Sequence, residues 1–311
     1  MSIRSPLAPS AKLHRIGSYR VADLRREWRQ QFGIDLRGEL RGLDSVEQYR
    51  CSASGLRFFH PPTAAGSSRL YQELCDREWY YLHEKWEYGQ AIRFCRPGMR
   101  VLEVGCGSGE FLKKLQKRGA DLLGLEINPA ARERCRQAGL KVRGGELSKL
   151  PACSFDMVCA FQVLEHLARP LVFLRQCVRV LRPGGLLFLA TPNADCFLLQ
   201  PPPLLDMPPH HVTGWSESAY RYLETILPLR MIACRKEPLS REHIEWWVGK
   251  IRQQGCEGRP AKEVWPKFLP AGLLKRFLQA GGRRWVEGQG MVAAFRKMEA
   301  RVKKSGKRPG K

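Results

Sequence analysis

Val101-Leu102-Glu103-Val104-Gly105-Cys106-Gly107-Ser108-Gly109 is the stretch that decides how this chain is read. Val101, Leu102 and Val104 form the short apolar run expected of a strand buried on both faces. Gly105, Gly107 and Gly109 follow at alternate positions, and Glu110, Phe111, Leu112 and Leu115 then begin a helical period. Strand, glycine turn and helix together make the opening unit of a nucleotide-binding α/β domain. Glycine lets such a loop turn sharply and lets a ligand approach the backbone. The helix N-terminus adds unpaired N–H groups that favour an anion. The spacing departs from the dinucleotide pattern G-x-G-x-x-G, because an acid, Glu103, leads and the glycines alternate.

Working outward, strands and helices alternate. Asp121 to Ile127 reads as a second strand. Glu126 ends it about 20 residues past the first glycine, where a carboxylate can accept from two ribose hydroxyls. The plainer alternative is a surface acid near a helix start. Asn128 and Pro129 open the next helix as cap and first residue. Lys141 to Leu147 reads as a third strand and Phe155 to Phe161 as a fourth. Pro170 starts a helix carrying Leu171, Leu174, Val178 and Leu181, which Arg182-Pro183-Gly184-Gly185 is expected to end. Leu186 to Ala190, Leu229 to Cys234 and Gly288 to Lys297 supply the fifth, sixth and last strands.

The Glu-x-Gly-x-Gly-x-Gly run resembles motif I of the class I S-adenosylmethionine-dependent methyltransferases. Glu126 and the run Leu-Arg-Pro-Gly-Gly before the fifth strand also match that family, and the likeness spans roughly Gly98 to Lys297. The resemblance implies a Rossmann-like α/β fold: a seven-stranded, mostly parallel sheet with helices on both faces. The last strand would be antiparallel, slotted between the fifth and sixth. It implies S-adenosyl-L-methionine as cofactor. Glu103, Gly105, Cys106, Gly107 and Gly109 would wrap its methionine part, with Glu103 facing the ammonium group. Glu126 would hold the ribose hydroxyls, and Ile127 beside it would also contact the cofactor. Gly145, Glu146 and Leu147 would contact adenine, although the family more often has aspartate where Glu146 stands. Phe161 and Gln162 would close over the cofactor. Glu165 and His166 look like an acid–base pair, but in this family they read as scaffolding of the loop and helix.

Pro208-Pro209-His210-His211 resembles the Pro-x-His loop of small-molecule methyltransferases such as the ubiquinone-pathway O-methyltransferases. Histidine is the natural proton acceptor near neutral pH. His211 is the first candidate for a base or substrate contact and His210 the second; holding the loop by hydrogen bonds is the equal alternative.

Before the glycine loop lie three features. Val21, Leu24, Trp28 and Phe32 recur at helical spacing from Tyr19 to Phe32, with Gly33 as the stop. Tyr49 to Pro62 reads as two short strands around a turn. It resembles a zinc-ribbon knuckle in which Ser54 has replaced the second cysteine, so no metal is expected. Residues 70–95 are helical and aromatic, and Tyr80, Tyr81 and Lys85 could line the cofactor mouth. The resulting division is an N-terminal basic helix and degenerate knuckle over 1–69, a methyltransferase domain over 70–300, and a basic, disordered tail over 301–311. A helical insertion occupies about 240–285. Residues 1–18 are also expected to be disordered.

Composition bounds the partners. Of 311 residues 43% are hydrophobic, enough for a core, and the net charge is +23. That charge favours anions: a nucleic acid, an acidic membrane face touched by the tail, or an anionic metabolite. No apolar run is long enough to span a bilayer, the N-terminus lacks a signal-peptide stretch, and the eleven cysteines form no C-x-x-C, which together suggest a cytoplasmic protein. The expected activity is methyl transfer to an O, N or C nucleophile of a small molecule: a sugar, lipid precursor or secondary metabolite. An RNA or DNA methyltransferase is the rival the charge suggests, though the chain has no Asn-Pro-Pro-Tyr motif, catalytic cysteine motif or known RNA-binding module. A non-catalytic binding protein of the same fold is the other.

Overall fold

β7 (Phe155–Phe161) is the middle strand of a seven-stranded sheet, and all seven of its residues are buried. In this computed structural model, residues 3–77, 80, 84–253 and 269–299 are described. On one side of β7 lie β4 (Arg100–Val104), β5 (Asp121–Leu125) and β6 (Val142–Arg143), all parallel to it. On the other lies the parallel β8 (Leu181–Pro192), then β11 (Glu287–Lys297) and β10 (Leu229–Pro238). β11 runs antiparallel between β8 and β10, as the resemblance implied.

Alternation along the central strands builds two cores. Leu102, Val158 and Ala160 enter one cluster, with Leu174 and Val178 of α6 (Pro170–Val180) and Tyr220 and Leu223 of α7 (Glu217–Ile226). Val101, Met157 and Cys159 enter the other, with Ala91 of α3 (Trp86–Ile92), Phe111 of α4 (Glu110–Gln116) and Cys135 of α5 (Pro129–Gln137). Helices therefore cover both faces, which is why the central strands read as unbroken apolar runs. Asn128 caps α5, its side chain accepting from the Ala130 and Ala131 amides.

The N-terminal region forms a second, antiparallel sheet in the order β1 (Leu13–Arg20), β2 (Ser45–Cys51), β3 (Arg57–His60) and β9 (Thr213–Gly214). The fourth strand comes from the loop after β8, so the two parts are joined through a shared sheet. α1 (Val21–Phe32) buries Val21, Leu24 and Trp28 against Leu204 and Met207 of that loop. Each such side chain contributes about 1.5–3 kcal/mol on leaving water. Cys51 has the hydroxyls of Ser5 and Ser54 as its neighbours, so the degenerate knuckle is closed by hydrogen bonds.

Four expectations are corrected. Residues 13–20 form β1 rather than a disordered segment; its side chains are mostly exposed, so no apolar alternation announces it, and the ladder to β2 holds it. The third strand of the large sheet is only Val142–Arg143, because Gly144 and Gly145 follow and Gly145 takes a φ of 115°. Arg182 to Gly185 lie within β8, where an irregularity in the pairing with β7 absorbs them. α2 (Ser68–Cys75) crosses the expected 69/70 boundary, and its Leu70 and Leu74 pack with the N-terminal cluster. In the expected insertion, α8 (Ile244–Gln253) and α9 (Ala271–Gln279) pack together in a fourth cluster with Leu198 and Leu239. Trp79, Tyr81, Leu82, residues 254–268 and the tail from 300 lie outside the described residues.

Candidate active site

The glycine loop leaves β4 at the carboxyl edge of the large sheet, and Gly105, Gly107 and Gly109 all have positive φ (74°, 52° and 79°). A side chain at Gly105 would come within 2.8 Å of a Val163 methyl, and one at Gly109 would strike Leu140 and Cys135. Only glycine fits those two positions. Cys106 is buried beneath the loop beside Cys135, whose thiol donates to the Gly107 carbonyl.

Two acids border this loop. Glu103 is 1% exposed, and its Oε2 has no hydrogen-bond partner. Burial pushes its carboxyl well above the usual range, while Lys85 opposes the shift. Glu126 follows the end of β5 and holds the loop: Oε2 accepts from the Gly107 amide and Oε1 from the Asn128 amide, both at 2.8 Å. Each oxygen keeps a second acceptor position. Ile127 beside it is 69% exposed, unusual for a large apolar residue at a sheet edge.

The remaining expected cofactor positions lie at the ends of β6 and β7. Glu146 is exposed and accepts from the Ser148 hydroxyl, and Leu147 is buried at the start of a short helical turn. Phe161 packs among Tyr88, Phe111 and Phe188, so its ring belongs to the core and only its backbone faces the cleft edge. Gln162 is one of three non-glycine residues with positive φ (55°) among the described residues; its amide donates to Ala190 and its side chain to Glu87. Such a conformation persists only where its surroundings hold it, and such residues cluster at functional sites.

Next to β7 the chain builds a buried histidine cluster. The rings of His166, His210 and His211 lie within 4.8 Å of each other by centroid, and Tyr71, Tyr80 and Trp28 pack on them. His210 uses both ring nitrogens, Nδ1 with the Leu205 carbonyl and Nε2 with the Tyr80 hydroxyl. His166 bonds through Nδ1 to the His210 carbonyl. Burial lowers both rings, His166 to about 3, so they stay neutral. His211 differs. Burial works to lower it, but its 2.7 Å hydrogen bond to Asp206 and the charges of Asp206 and Glu165 raise it above the ordinary value.

His211 and Asp206 line a pocket with Glu165, Pro192, Gln200 and Thr213, closed on the other side by Gln48, Arg57 and Phe59 from the N-terminal sheet. The pocket adjoins the carboxyl ends of β7 and β8, one strand beyond the β4–β7 boundary where the strand order reverses. Open α/β sheets bind ligands at that point. Val163 touches the glycine loop and Glu165, two residues later, lines the pocket, so one short segment links the two.

A family model described as a methyltransferase domain matches residues 79–257, more than half of the chain. The chain belongs to this methyltransferase family. S-adenosylmethionine is the cofactor of the methyltransferase. A Mycolicibacterium smegmatis protein named as a probable S-adenosylmethionine-dependent methyltransferase is 37% identical over 123 residues, covering 38% of this chain and 47% of that protein. A ubiquinone biosynthesis O-methyltransferase of Hahella chejuensis is 36% identical over 112 residues, 33% of this chain and 47% of that one. The methyltransferase thus spans about half the length of these curated relatives. An S-adenosylmethionine-dependent methyltransferase from Archaeoglobus fulgidus superposes with a TM-score of 0.49 at 18% identity, over 75% of this chain and 95% of that one.

Sequence motifs pointed to the glycine loop, Glu103, Glu126 and His211. Three pocket residues of the methyltransferase were missed: Arg57, Asp206 and, as more than scaffolding, Glu165. Arg57 and Asp206 stand in no motif, and only the fold brings them to His211. Tyr80, a possible lining residue of the cofactor mouth, packs on and bonds to His210. Among the described residues no helix is long and apolar enough to cross a membrane.

Proposed function

We propose that this chain transfers a methyl group from S-adenosylmethionine to a nucleophile of a small molecule, such as a sugar, lipid precursor or other secondary metabolite, with a hydroxyl oxygen as the favoured acceptor. The observation that carries the proposal is the pocket holding the Asp206–His211 pair beside the glycine loop. Bound S-adenosylmethionine supplies a methyl already activated on a sulfonium. The residues present fit it: among the described residues Glu103 has an unpartnered, buried oxygen suited to the ammonium group, and the three positive-φ glycines hold the loop in a turn whose backbone a ligand can approach. Glu126 would accept from ribose hydroxyls through its remaining lone pairs, and the exposed Ile127 offers an apolar surface to adenine.

The protein's part is then to orient the acceptor and exclude water. Asp206, as a carboxylate, only accepts, so His211 carries its proton on Nδ1. When neutral, its Nε2 is free to accept the proton of an acceptor hydroxyl. His210, with both nitrogens engaged, holds the loop.

Calorimetric titration with S-adenosylhomocysteine, alongside NADH, tests the reading. The expected result is binding of S-adenosylhomocysteine alone, weakened about tenfold or more in Glu126→Ala. Absence of binding to the folded chain would sink it. The net charge of +23 supports a second reading, a nucleic-acid acceptor. That reading requires RNA or DNA binding that falls steeply with salt.

A further inference from the structure

The pocket contains two buried polar groups that nothing among the described residues satisfies. Both carboxylate oxygens of Glu165 lack a hydrogen-bond partner although the residue is 1% exposed. Nε of Arg57 lacks one too. The other two arms of that guanidinium are used, one on the Ala194 carbonyl at 2.6 Å and one on Asp195 at 2.8 Å. Leaving such groups unpaired costs about 1–3 kcal/mol each, so their persistence in one pocket points to a ligand that pairs them.

The charges facing the pocket narrow that ligand. Its ionisable side chains are Arg57, Glu165, Asp206 and His211. Arg57 is neutralised by Asp195, and Asp206 is bonded to His211. Glu165 is left as an acid with no paired cation. The pocket therefore disfavours anions even though the chain as a whole carries +23. Unpaired carboxylate oxygens call for hydrogen-bond donors, and the single Arg57 N–H calls for an oxygen acceptor.

Resting on the methyltransferase reading above, we propose that the acceptor is an uncharged, hydroxyl-bearing molecule that donates to Glu165 and accepts from Nε of Arg57, making the N-terminal sheet the specificity wall of the site. Arg57, Gln48 and Phe59 all precede the residues matched by the family model, which begin at 79. Selectivity thus comes from a part of the chain that lies outside the residues matched by the family model. Arg57 and Phe59 are placed by β3, which pairs with β9 at Arg57–Gly214 and Phe58–Thr213, while the Phe59 amide donates to Val212; Gln48 lies opposite Phe59 on β2. The side chain of Thr213, also in the pocket, is anchored on the Leu164 carbonyl next to Glu165. Arg57 and Glu165 are therefore held through one continuous set of hydrogen bonds.

The test uses ligand-observed NMR on the full chain saturated with S-adenosylhomocysteine at pH 8, where Glu165 is ionised. The probes are methyl glucoside, benzyl alcohol and 4-hydroxybenzyl alcohol, each beside a carboxylate and a phosphate counterpart. Neutral probes are expected to bind and the anions not to. Arg57→Met and Glu165→Gln should each weaken neutral-probe binding about tenfold while S-adenosylhomocysteine affinity holds. Glu165→Gln should in addition admit the carboxylate probes, a change in charge preference that mere loosening of the structure would not produce. Preferential binding of the anions to the wild type would overturn the proposal. So would neutral binding unchanged in both variants, or no probe binding at all. Failure of S-adenosylhomocysteine to bind would instead overturn the underlying methyltransferase reading.

Discussion

Asp206 fixes the tautomer of His211: a carboxylate oxygen 2.7 Å from Nδ1 can only accept, so the ring's acceptor nitrogen is Nε2. The same bond raises His211 above the ordinary histidine value, in contrast to its two neighbours, which burial lowers. Histidine Cε1–H NMR shifts followed from pH 5 to 9 should show His211 titrating above its ordinary value while His166 and His210 stay neutral throughout. In Asp206→Asn the largest raising contribution is gone, so the midpoint should move down. A midpoint that does not move would show that Asp206 is not what holds the proton.

Glu165 sets a pH dependence of stability with a definite sign. Burial raises its carboxyl to about 7 from an ordinary value of 4.5. The folded chain therefore binds a proton more readily than the unfolded one between those values. The contribution is fully present below 4.5 and is lost as pH rises through 7, by up to about 3 kcal/mol. Glu165→Gln should accordingly raise Tm at pH 8 and change it little at pH 4.5. Equal shifts at both pH values would contradict the buried, unpaired carboxylate.

Gly105 and Gly109 combine positive φ with space already taken by Val163, Leu140 and Cys135. Alanine at either position should cost about 1–3 kcal/mol in urea denaturation. S-adenosylhomocysteine affinity should fall with it, since the loop is what would move. Alanine at Gly139, which has a φ of 72° but nothing within 4 Å, should cost stability without touching affinity.

Ile127 offers a cleaner separation of binding from folding. Because it is 69% exposed, Ile127→Ser should leave Tm nearly unchanged. If adenine rests on it, S-adenosylhomocysteine affinity should drop about fivefold to tenfold. Unchanged affinity would move the adenine contact elsewhere, Leu147 being the next residue to test.

What the sequence made legible follows from how locally each feature is encoded. β7 was read with its observed ends because a strand buried on both faces is a continuous apolar run between polar ends. The glycine loop was legible because backbone geometry there admits no other residue. β1 was not, since a mostly exposed edge strand carries no period-2 signal. Arg182 to Gly185 misled because Pro-Gly-Gly suggests a turn, while the sheet absorbs the same residues as an irregular strand start. Arg57, Asp206 and Glu165 were missed as a set for a different reason: they meet only through tertiary structure, and an unsatisfied carboxylate is visible only once its surroundings are known.

The pairing of β3 with β9 also constrains how the chain can be made. Arg57 and Gly214 are roughly 150 residues apart in sequence yet neighbours in one sheet. During synthesis, three strands of the N-terminal sheet leave the ribosome long before the fourth. Until then β3 presents a bare edge carrying Phe58 and Phe59, the kind of surface that recruits foreign strands or chaperones. The proposed acceptor pocket accordingly cannot close until Thr213 has been made, and a nascent chain halted before it would hold the glycine-loop residues with no fixed wall beside that pocket.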